Sequence, residues 1–560
     1  MSSSWMISFT ASLKPRDSSS PQEISLDSLP MNLKSLTKPV MKNIALILVS
    51  APLAVPRLSR GSVLRGVVVL ISFVATAAFA GSATWKANPG SGNWNAAANW
   101  TPATIPNAAD DTATFALSNI RQVFFTADTE VNGIVFNAGA SPFTLSNQAP
   151  TVTISGKGIT NNSGIVQNFT PGPGQIIFTN SATAGSLTSF TNTGTIAFGG
   201  SSSAGNATFS NDGELTFLNT STAGDATFIN EGGKVSGAGG AIIAFDTGST
   251  AGNASITTNG GAVSGAFNAE TFFRGNAGKA TLIANGGSSG SPGGLLDFVD
   301  SSRGGTARVE VFGNGSLDIS GHAAPGMTVG SIEGNGRVFL GSRKLTVGSN
   351  NQNTNFSGSI KDGGANGGIG GSLAKTGTGE LVLARSNTYT GGTIITRGHL
   401  TVNNQGGSGT GIGPVQVNGG FLSGFGTITG AVNIGNGVVA GAVLLPGTAG
   451  TAASLSINNS LTFNPLSTYE CVLVRTTPAV GKVTALGVII QSGVTFEFVD
   501  RTTGTLAPGA VFTAINNVSA NPISGTFANL ADGAIFSSGG NTFKASYHGG
   551  TGNDLVLTVQ

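Results

Sequence analysis

The chain has 560 residues, of which 39% are hydrophobic and only 9% are charged, with a formal net charge of +2. This length and hydrophobic fraction allow a large packed interior, whereas an average domain carries about 25% charged residues. Residues 81–560 contain no cluster of Lys and Arg that could neutralise phosphates, so we do not expect a nucleic-acid partner.

The first 80 residues predict a long leader that contains an export signal. Residues 66–77 form an uncharged apolar run, and Ala78-Phe79-Ala80 supplies small residues two apart. Three arginines precede the run: Arg57, Arg60 and Arg65. A basic flank, a run of about 12 apolar residues and an A-x-A end are the parts of a secretory signal. We predict cleavage near Ala80, with a retained membrane anchor as the alternative, although a bilayer span needs about 20 residues.

The start of translation stays open, because Met1, Met31 and Met41 can each begin a leader that retains this signal. A second apolar stretch, residues 44–49, follows Lys42. Secretion, or association with the outer membrane, is the expected localisation.

Residues 81–150 are rich in tryptophan and predict an N-terminal cap followed by the first coils. Three of the four tryptophans of the chain lie here: Trp85, Trp94 and Trp100. A hydrophobic cap over the edge of the first coil is the expected role. The alternative is a platform on which sugar rings stack.

Residues 151–345 contain a repeating unit. A short anchor with an Ala-Gly or Gly-Gly core recurs at intervals of 19 to 28 residues, followed by a strand and then an Asn/Gly turn. The anchors begin at Thr183, Ser203, Thr222, Thr250, Asn276 and Arg303. Periods of about 20 to 30 residues are typical of solenoids, in which each unit buries its apolar face against its neighbours. No long window has a 3.6-residue period, so we expect almost no helix after residue 80.

Residues 346–460 contain the most specific motif. Two short strands, 377–383 and 398–402, flank the Asn/Gly/Thr turn 387–393. The pattern resembles the passenger-associated, autotransporter-associated β-strand repeat of Gram-negative surface proteins, over about residues 372–447. The resemblance implies a secreted right-handed parallel β-helix. Two series of strands are predicted to stack in successive coils: one near Leu381, Leu400 and Leu422, and another near Ile394, Val415, Val432 and Leu455.

Residues 461–560 predict further β coils and a C-terminal cap. An autotransporter normally ends in a membrane barrel, and this segment lacks the many alternating strands of one. We therefore expect a passenger-like protein without a C-terminal barrel. Residues 549–557 match one copy of a calcium β-roll nonapeptide. A single copy supplies half a site at best, so a Gly-rich turn into a last strand is expected instead.

Candidate catalytic residues are few. Asp297 and Asp300 share one apolar strand, but residues three apart point to opposite faces and do not form a carboxylate pair. Asp110 and Asp111 are expected to be solvated in a loop. The histidines are far apart in sequence and are expected to be structural: His322, His399 and His548. Cys471 is the only cysteine of the chain, and we expect a small buried residue there rather than a reactive thiol.

The sequence therefore predicts an all-β, right-handed parallel β-helix (solenoid) with an N-terminal signal segment. The expected function is that of a secreted or cell-surface structural or adhesive stalk. Surface glycans, or the surface of a host or neighbouring cell, are the expected partners. We expect no catalytic, metal or cofactor site and no small-molecule cofactor. One alternative is a polysaccharide lyase or hydrolase on the same scaffold. A cluster of three or more acidic or basic residues in one lateral groove would favour this enzyme. The other alternative is a disordered Gly-rich matrix protein.

Overall fold

A computed structural model describes residues 81–448, 450–474, 478–501 and 504–560. These residues belong to one compact unit. The predicted signal segment and the three possible start positions lie outside the described residues. No helix in the described ranges has the length and hydropathy needed to cross a bilayer.

The described chain winds through about 17 turns of a β-solenoid, whose strands form four sheets. Sheet 1 consists of Trp100–Thr101, Ala83–Trp85, Ala108–Phe115, Thr129–Phe136, Thr151–Asn161, Gln175–Phe178, Thr195–Phe198, Glu214–Phe217, Ile242–Phe245, Glu270–Phe273, Leu295–Phe298, Ser316–Asp318, Arg337–Phe339 and Ser359–Lys361.

Sheet 2 runs beside sheet 1 and continues further along the chain. Its parallel strands are Gln122–Phe125, Thr144–Asn147, Gln167–Pro171, Ser186–Asn192, Asn206–Asn211, Thr227–Asn230, Ser255–Thr258, Thr281–Ala284, Arg308–Val311, Ser331–Gly334, Thr354–Phe356, Glu380–Leu383, His399–Val402, Gly420–Gly424, Ala442–Thr448, Thr468–Val474 and Thr495–Asp500. Two short strands, Thr451–Ala452 and Ala479–Val480, pair antiparallel with Ala442–Thr448 and Thr468–Val474 respectively.

Sheets 3 and 4 belong to the C-terminal half. Sheet 3 consists of Gly326–Val329, Lys344–Val347, Ser372–Lys375, Thr393–Ile395, Val415–Val417, Val432–Ile434, Leu461–Phe463 and Val488–Ile490. Sheet 4 consists of Thr427–Ile428, Ser454–Ile457, Lys482–Ala485, Val511–Asn517, Asp554–Val559, Asn541–Gly549 and Ile535–Ser538. Outside the strands, the only helical element of the described residues is the 3-10 turn Ala97–Asn99.

Successive turns are joined by parallel ladders with corresponding residues in register. In sheet 1, Phe198 pairs with Phe217, and Phe217 pairs with Phe245. Alternate side chains of each strand point inward, which explains why buried apolar residues occur at every second position. The predicted all-β fold and parallel β-helix are confirmed, as is the scarcity of helix. The right-handed sense of the coil stays a prediction, and so do the segment boundaries at residues 150, 345 and 460.

The anchors identified in the sequence form one corner of the column. Isolated parallel bridges join each anchor to the next, from Thr183 through Ser203, Thr222, Thr250 and Asn276 to Arg303. The glycine at the third position of each corner has a positive φ, as at Gly224 with φ 62°. A Cβ added to Gly224 would lie 2.7 Å from the carbonyl oxygen of Gly205, so the corner needs glycine for its conformation and for the close approach of the turns.

Stacked phenylalanines fill the interior of the N-terminal half. In sheet 1 the ring centroids of neighbours lie 4.5 to 4.9 Å apart, with nearly parallel planes. The members of this column are Phe178, Phe198, Phe217, Phe245, Phe273 and Phe298. Phenylalanine suits this position because its ring has no polar atom that would need a partner inside the coil.

One predicted stack of strands is correct and one is wrong at its last member. Leu381, Leu400 and Leu422 lie in register in sheet 2, as predicted. In sheet 3, the strands that contain Ile394, Val415 and Val432 are followed by Leu461. Leu455 lies in sheet 4 instead, because an additional strand enters the turn at this level.

Candidate functional site

A group of acidic side chains lies on sheet 1. Asp297 pairs in register with Asp318 of the next turn, and their side chains are both buried, at 8% and 4% exposure. Burial raises the pKa of Asp297 to about 7, and the charges of Asp318 and Glu270 act in the same direction. Asp297 Oδ1 has no hydrogen-bond partner among the described residues. A buried carboxyl beside a second one is thus largely protonated below neutral pH.

Asp318 is committed to a structural role. Its Oδ1 accepts a hydrogen bond from the amide of Ser320 at 2.7 Å, and its Oδ2 accepts one from the amide of Ala365 at 2.8 Å. The Ser320 hydroxyl accepts the amide of Asn366 at 3.0 Å. These bonds hold the Gly-rich loop 362–371 against sheet 1, so the carboxylate of Asp318 organises a loop.

The two aspartates singled out in the sequence do not share the predicted strand, because the strand ends at Phe298 and Asp300 lies beyond it with φ 52°. Asp300 is exposed and forms an ion pair with Arg274 at 3.1 Å. The true neighbour of Asp297 is Asp318, which the sequence interpretation missed. The signal was present, because Leu295-Leu296-Asp297 and Ser316-Leu317-Asp318 have the same pattern one turn apart.

The prediction of a loop at Asp110 and Asp111 is wrong. Both lie in the strand Ala108–Phe115, at a point where its register against the next strand shifts. Asp110 is exposed, whereas Asp111 is buried, and Asp111 Oδ2 accepts a hydrogen bond from the amide of Asn107 at 3.0 Å. The bulge turns this side chain back onto the backbone, which a simple loop assignment does not anticipate.

The three histidines occupy different parts of the column. His322 is buried, and its ring nitrogens lie 2.7 Å and 2.8 Å from the carbonyl oxygens of Ala323 and Ser302. His548 is exposed beside Asp532, at 3.5 Å. His399 is half-buried and stacks on another ring of sheet 2. Across the described ranges, no group of three or more His, Cys, Asp or Glu side chains is placed to hold a metal ion.

The tryptophans of the N-terminal segment are core residues. Trp85 and Trp94 each pack edge-on against Trp100, with centroids 5.0 and 4.8 Å away. All three rings are at most 1% exposed. Their faces are covered by other rings, so they do not present a platform for sugars.

Cys471 lies inside the C-terminal coils. Its side chain is fully buried on the strand Thr468–Val474, and its Sγ is 3.4 Å from the carbonyl oxygen of Gly481. Burial raises the pKa of the thiol. A thiol held in its neutral form is a poor nucleophile, which agrees with a packing role.

The nonapeptide near the C-terminus leads into the strand Asp554–Val559. Asp554 is buried, and its Oδ1 accepts the amide hydrogen of Asn517 at 2.9 Å. The carboxylate therefore fastens the last strand to the strand Val511–Asn517.

The Asn/Gly/Thr turn of the central motif is held from inside by its own side chains. Asn387 Oδ1 accepts the amide of Ile360 at 2.7 Å, and its Nδ2 donates to the carbonyl of Gly409 at 2.6 Å, so one side chain joins three consecutive turns. The hydroxyl of Tyr389 is buried 2.5 Å from Thr393 Oγ1. These contacts explain why the turn needs these residue types.

A buried lysine precedes the same turn. Lys375 is 1% exposed, and its Nζ donates to the carbonyls of Thr376 at 2.6 Å and of Gly377 and Arg397 at 3.4 Å. Burial lowers its pKa to about 8. The ammonium thus donates hydrogen bonds to backbone carbonyls of two successive turns at one corner of the coil. This role was not predicted from the sequence.

Comparison with known families agrees with this geometry. Residues 373–402 match the passenger-associated-transport-repeat family. The match begins two residues before Lys375 and ends with the strand His399–Val402, so it contains the turn described above. The resemblance drawn from the sequence is confirmed for this segment. No curated protein matches the chain.

Proposed function

We propose that this chain, a β-solenoid with a passenger-associated-transport-repeat at residues 373–402, is an exported passenger-like stalk. The observation that carries the proposal is the uninterrupted ladder of sheet 2, which links the turns from Gln122–Phe125 to Thr495–Asp500. A column built in this way holds the outward side chains of successive turns at fixed distances from one another. A structural or adhesive role requires such a rigid surface. Surface glycans or a neighbouring cell are its proposed partners.

Surface labelling tests export. Antibodies against residues 81–560 should label intact cells that produce the chain, or should detect it in their medium. The N-terminus of the exported protein, read by mass spectrometry, should be Gly81 if the signal is cleaved after Ala80. A chain that is found only inside the cells with residues 1–80 attached would contradict the proposal.

Adhesion is tested with the purified exported protein. Beads coated with it should attach to cells of the producing population more than beads coated with albumin. Attachment equal to that of albumin beads would contradict the adhesive role, and the proposal of a structural stalk would still stand.

The second candidate is a carbohydrate-active enzyme on the same scaffold. The observation that favours it is the acidic group on sheet 1, in which Asp297, Asp318 and Glu270 interact electrostatically. A protonated Asp297 has the form of a general acid. If the chain is such an enzyme, it should release reducing ends from a polysaccharide. This activity should be lost in the variant Asp297→Asn and kept in the variant Asp300→Asn, whose parent residue is exposed. We favour the stalk, since the two oxygens of Asp318 are taken by backbone amides.

A further inference from the structure

A recess of about 440 Å³ opens on the outer face of sheet 2, within the segment that contains the repeat. Its floor is formed by the strands Glu380–Leu383, His399–Val402 and Gly420–Gly424. One side is bounded by the strand Ala442–Thr448, which turns back to pair antiparallel with Thr451–Ala452. The lining side chains include Asn353, Thr378, Glu380, His399, Ser423 and Leu445.

Two columns of outward side chains cross this floor in register. Glu380 pairs with His399, and His399 pairs with Phe421. The rings of His399 and Phe421 stack with centroids 4.3 Å apart and planes 2° apart. In the neighbouring column, Thr401 pairs with Ser423, and their hydroxyl oxygens are 2.8 Å apart.

The polar groups of the recess are fixed in place, and several keep free capacity for hydrogen bonds. Thr401 Oγ1 donates to Glu380 Oε1, which orients the carboxylate. Asn353 Oδ1 accepts the amide of Glu380 at 2.8 Å, which leaves its NH₂ group as a donor. In the part of the chain that the structure describes, no hydrogen bond is formed by Glu380 Oε2 or by either ring nitrogen of His399.

The surroundings of His399 favour the neutral form of its imidazole. Burial lowers its pKa, and the charge of Lys375 acts in the same direction, against the opposing effect of Glu380. A neutral imidazole has one donor and one acceptor nitrogen. The Ser423 hydroxyl donates its hydrogen to Thr401 Oγ1, because the Thr401 hydrogen goes to Glu380, so Ser423 Oγ can only accept. The recess therefore combines an acceptor carboxylate, a donor amide, an acceptor hydroxyl, and an imidazole with one donor and one acceptor nitrogen.

This combination selects among ligand classes. Glu380 disfavours an anionic ligand, and the charge of Lys375 partly offsets the attraction of Glu380 for a cationic one. An ammonium or guanidinium ligand, which only donates hydrogen bonds, would also leave the NH₂ group of Asn353 without an acceptor. A wholly apolar ligand would leave the carboxylate and the imidazole desolvated without partners. Sugar hydroxyls both donate and accept hydrogen bonds. Vicinal hydroxyls can therefore pair with both the donors and the acceptors that line the recess.

We infer that this recess, formed by Glu380, His399 and Ser423 beside the strand Ala442–Thr448, is a binding subsite for a neutral oligosaccharide. The inference deepens the proposed function, because it assigns the glycan partner of the stalk to one place on its surface. Binding is non-covalent and involves no bond-breaking step.

Calorimetric titration of the purified exported chain tests the inference, with cellohexaose, maltohexaose and mannohexaose as probes. At least one should bind with a Kd of about 1 mM or tighter, the strength of a single shallow subsite. Glu380→Gln and His399→Phe should each weaken binding at least about fivefold, equivalent to about 1 kcal/mol. The His399→Phe variant keeps a ring on Phe421, so the fold and the stack are preserved while both ring nitrogens are removed.

Glu214→Gln is the matched control, since Glu214 lies on sheet 1 away from the recess, and its affinity should equal that of the parent chain. Melting curves from circular dichroism establish that each variant is folded. Failure of all three probes to bind overturns the inference, and so does binding that both recess variants retain unchanged. These outcomes are separate from those of surface labelling: an exported chain that binds no probe loses only the glycan subsite.

Discussion

At the scale of single residues, Lys375 links the chemistry of one side chain to the pH dependence of stability. Its pKa is lowered from 10.5 to about 8 by burial, so between these values the unfolded chain binds more protons than the folded chain. Lys375 therefore makes the free energy of unfolding rise with pH above about 8, and the thiol of Cys471, whose pKa burial raises from 9.0, opposes this rise as the pH approaches 9.

The variant Lys375→Met should lose this rise. At pH 7 it should also be destabilised by about 1–3 kcal/mol, because the carbonyl of Thr376 loses its buried donor. Urea unfolding at several pH values measures both effects. Lys344→Met, on the same sheet but with a half-exposed side chain, should keep the pH dependence. An identical rise in Lys375→Met and in the parent chain would show that another group causes it.

Asp297 has the opposite dependence. Its pKa is raised from 3.8 to about 7, so the folded chain binds more protons between these values. The stability that this carboxyl contributes is present below pH 4 and is lost as the pH rises through about 7. Asp297→Asn should be more stable than the parent at pH 8 by about 1–3 kcal/mol, and similar to it at pH 4. Thermal melting at both pH values is the measurement, and Asp300→Asn should change little at either.

At the scale of secondary-structure elements, the stacked ring column of sheet 1 carries much of the core. Phe217 lies between Phe198 and Phe245, with centroids 4.8 and 4.6 Å away. Phe217→Ala should cost about 3–5 kcal/mol, through lost burial and the cavity that remains. Phe272→Ala removes a half-exposed ring of the same sheet, over which Arg274 lies at 4.8 Å, and should cost about 1 kcal/mol or less. Equal losses in urea unfolding would contradict the assigned core.

At the scale of the whole molecule, each turn contacts mainly its neighbours, so a complete turn should be removable. Deletion of residues 206–224 joins Gly205 to Asp225 and takes out one repeat of 19 residues. Phe198 can then stack on Phe245, and the corner bridges close again. The shortened chain should keep a β-type circular dichroism spectrum and a cooperative melt. Deletion of residues 206–215 is out of register and should give a broader melt at lower temperature than the deletion of a complete turn.

The sequence alone was sufficient to predict which residues stack where the repeat length is nearly constant. It was insufficient where the repeat changes length. Thr183, Ser203 and Thr222 were identifiable as one corner because their spacing is nearly constant. The pairing of Asp297 with Asp318 was visible as a repeated Leu-Asp pattern, whereas the place of Leu455 depends on how many residues each turn inserts before its next strand. One sequence contains no measure of those insertions. The recess around His399 likewise depends on three turns and a returning strand that are distant in sequence.

The outermost strands of sheets 1 and 4 run against their neighbours. At one end Trp100–Thr101 is antiparallel to Ala83–Trp85, and at the other Ile535–Ser538 is antiparallel to Asn541–Gly549. A strand that a second copy added at either edge would therefore not extend the parallel ladder that joins successive turns of the column. Head-to-tail addition of a second copy at these two edges is therefore disfavoured.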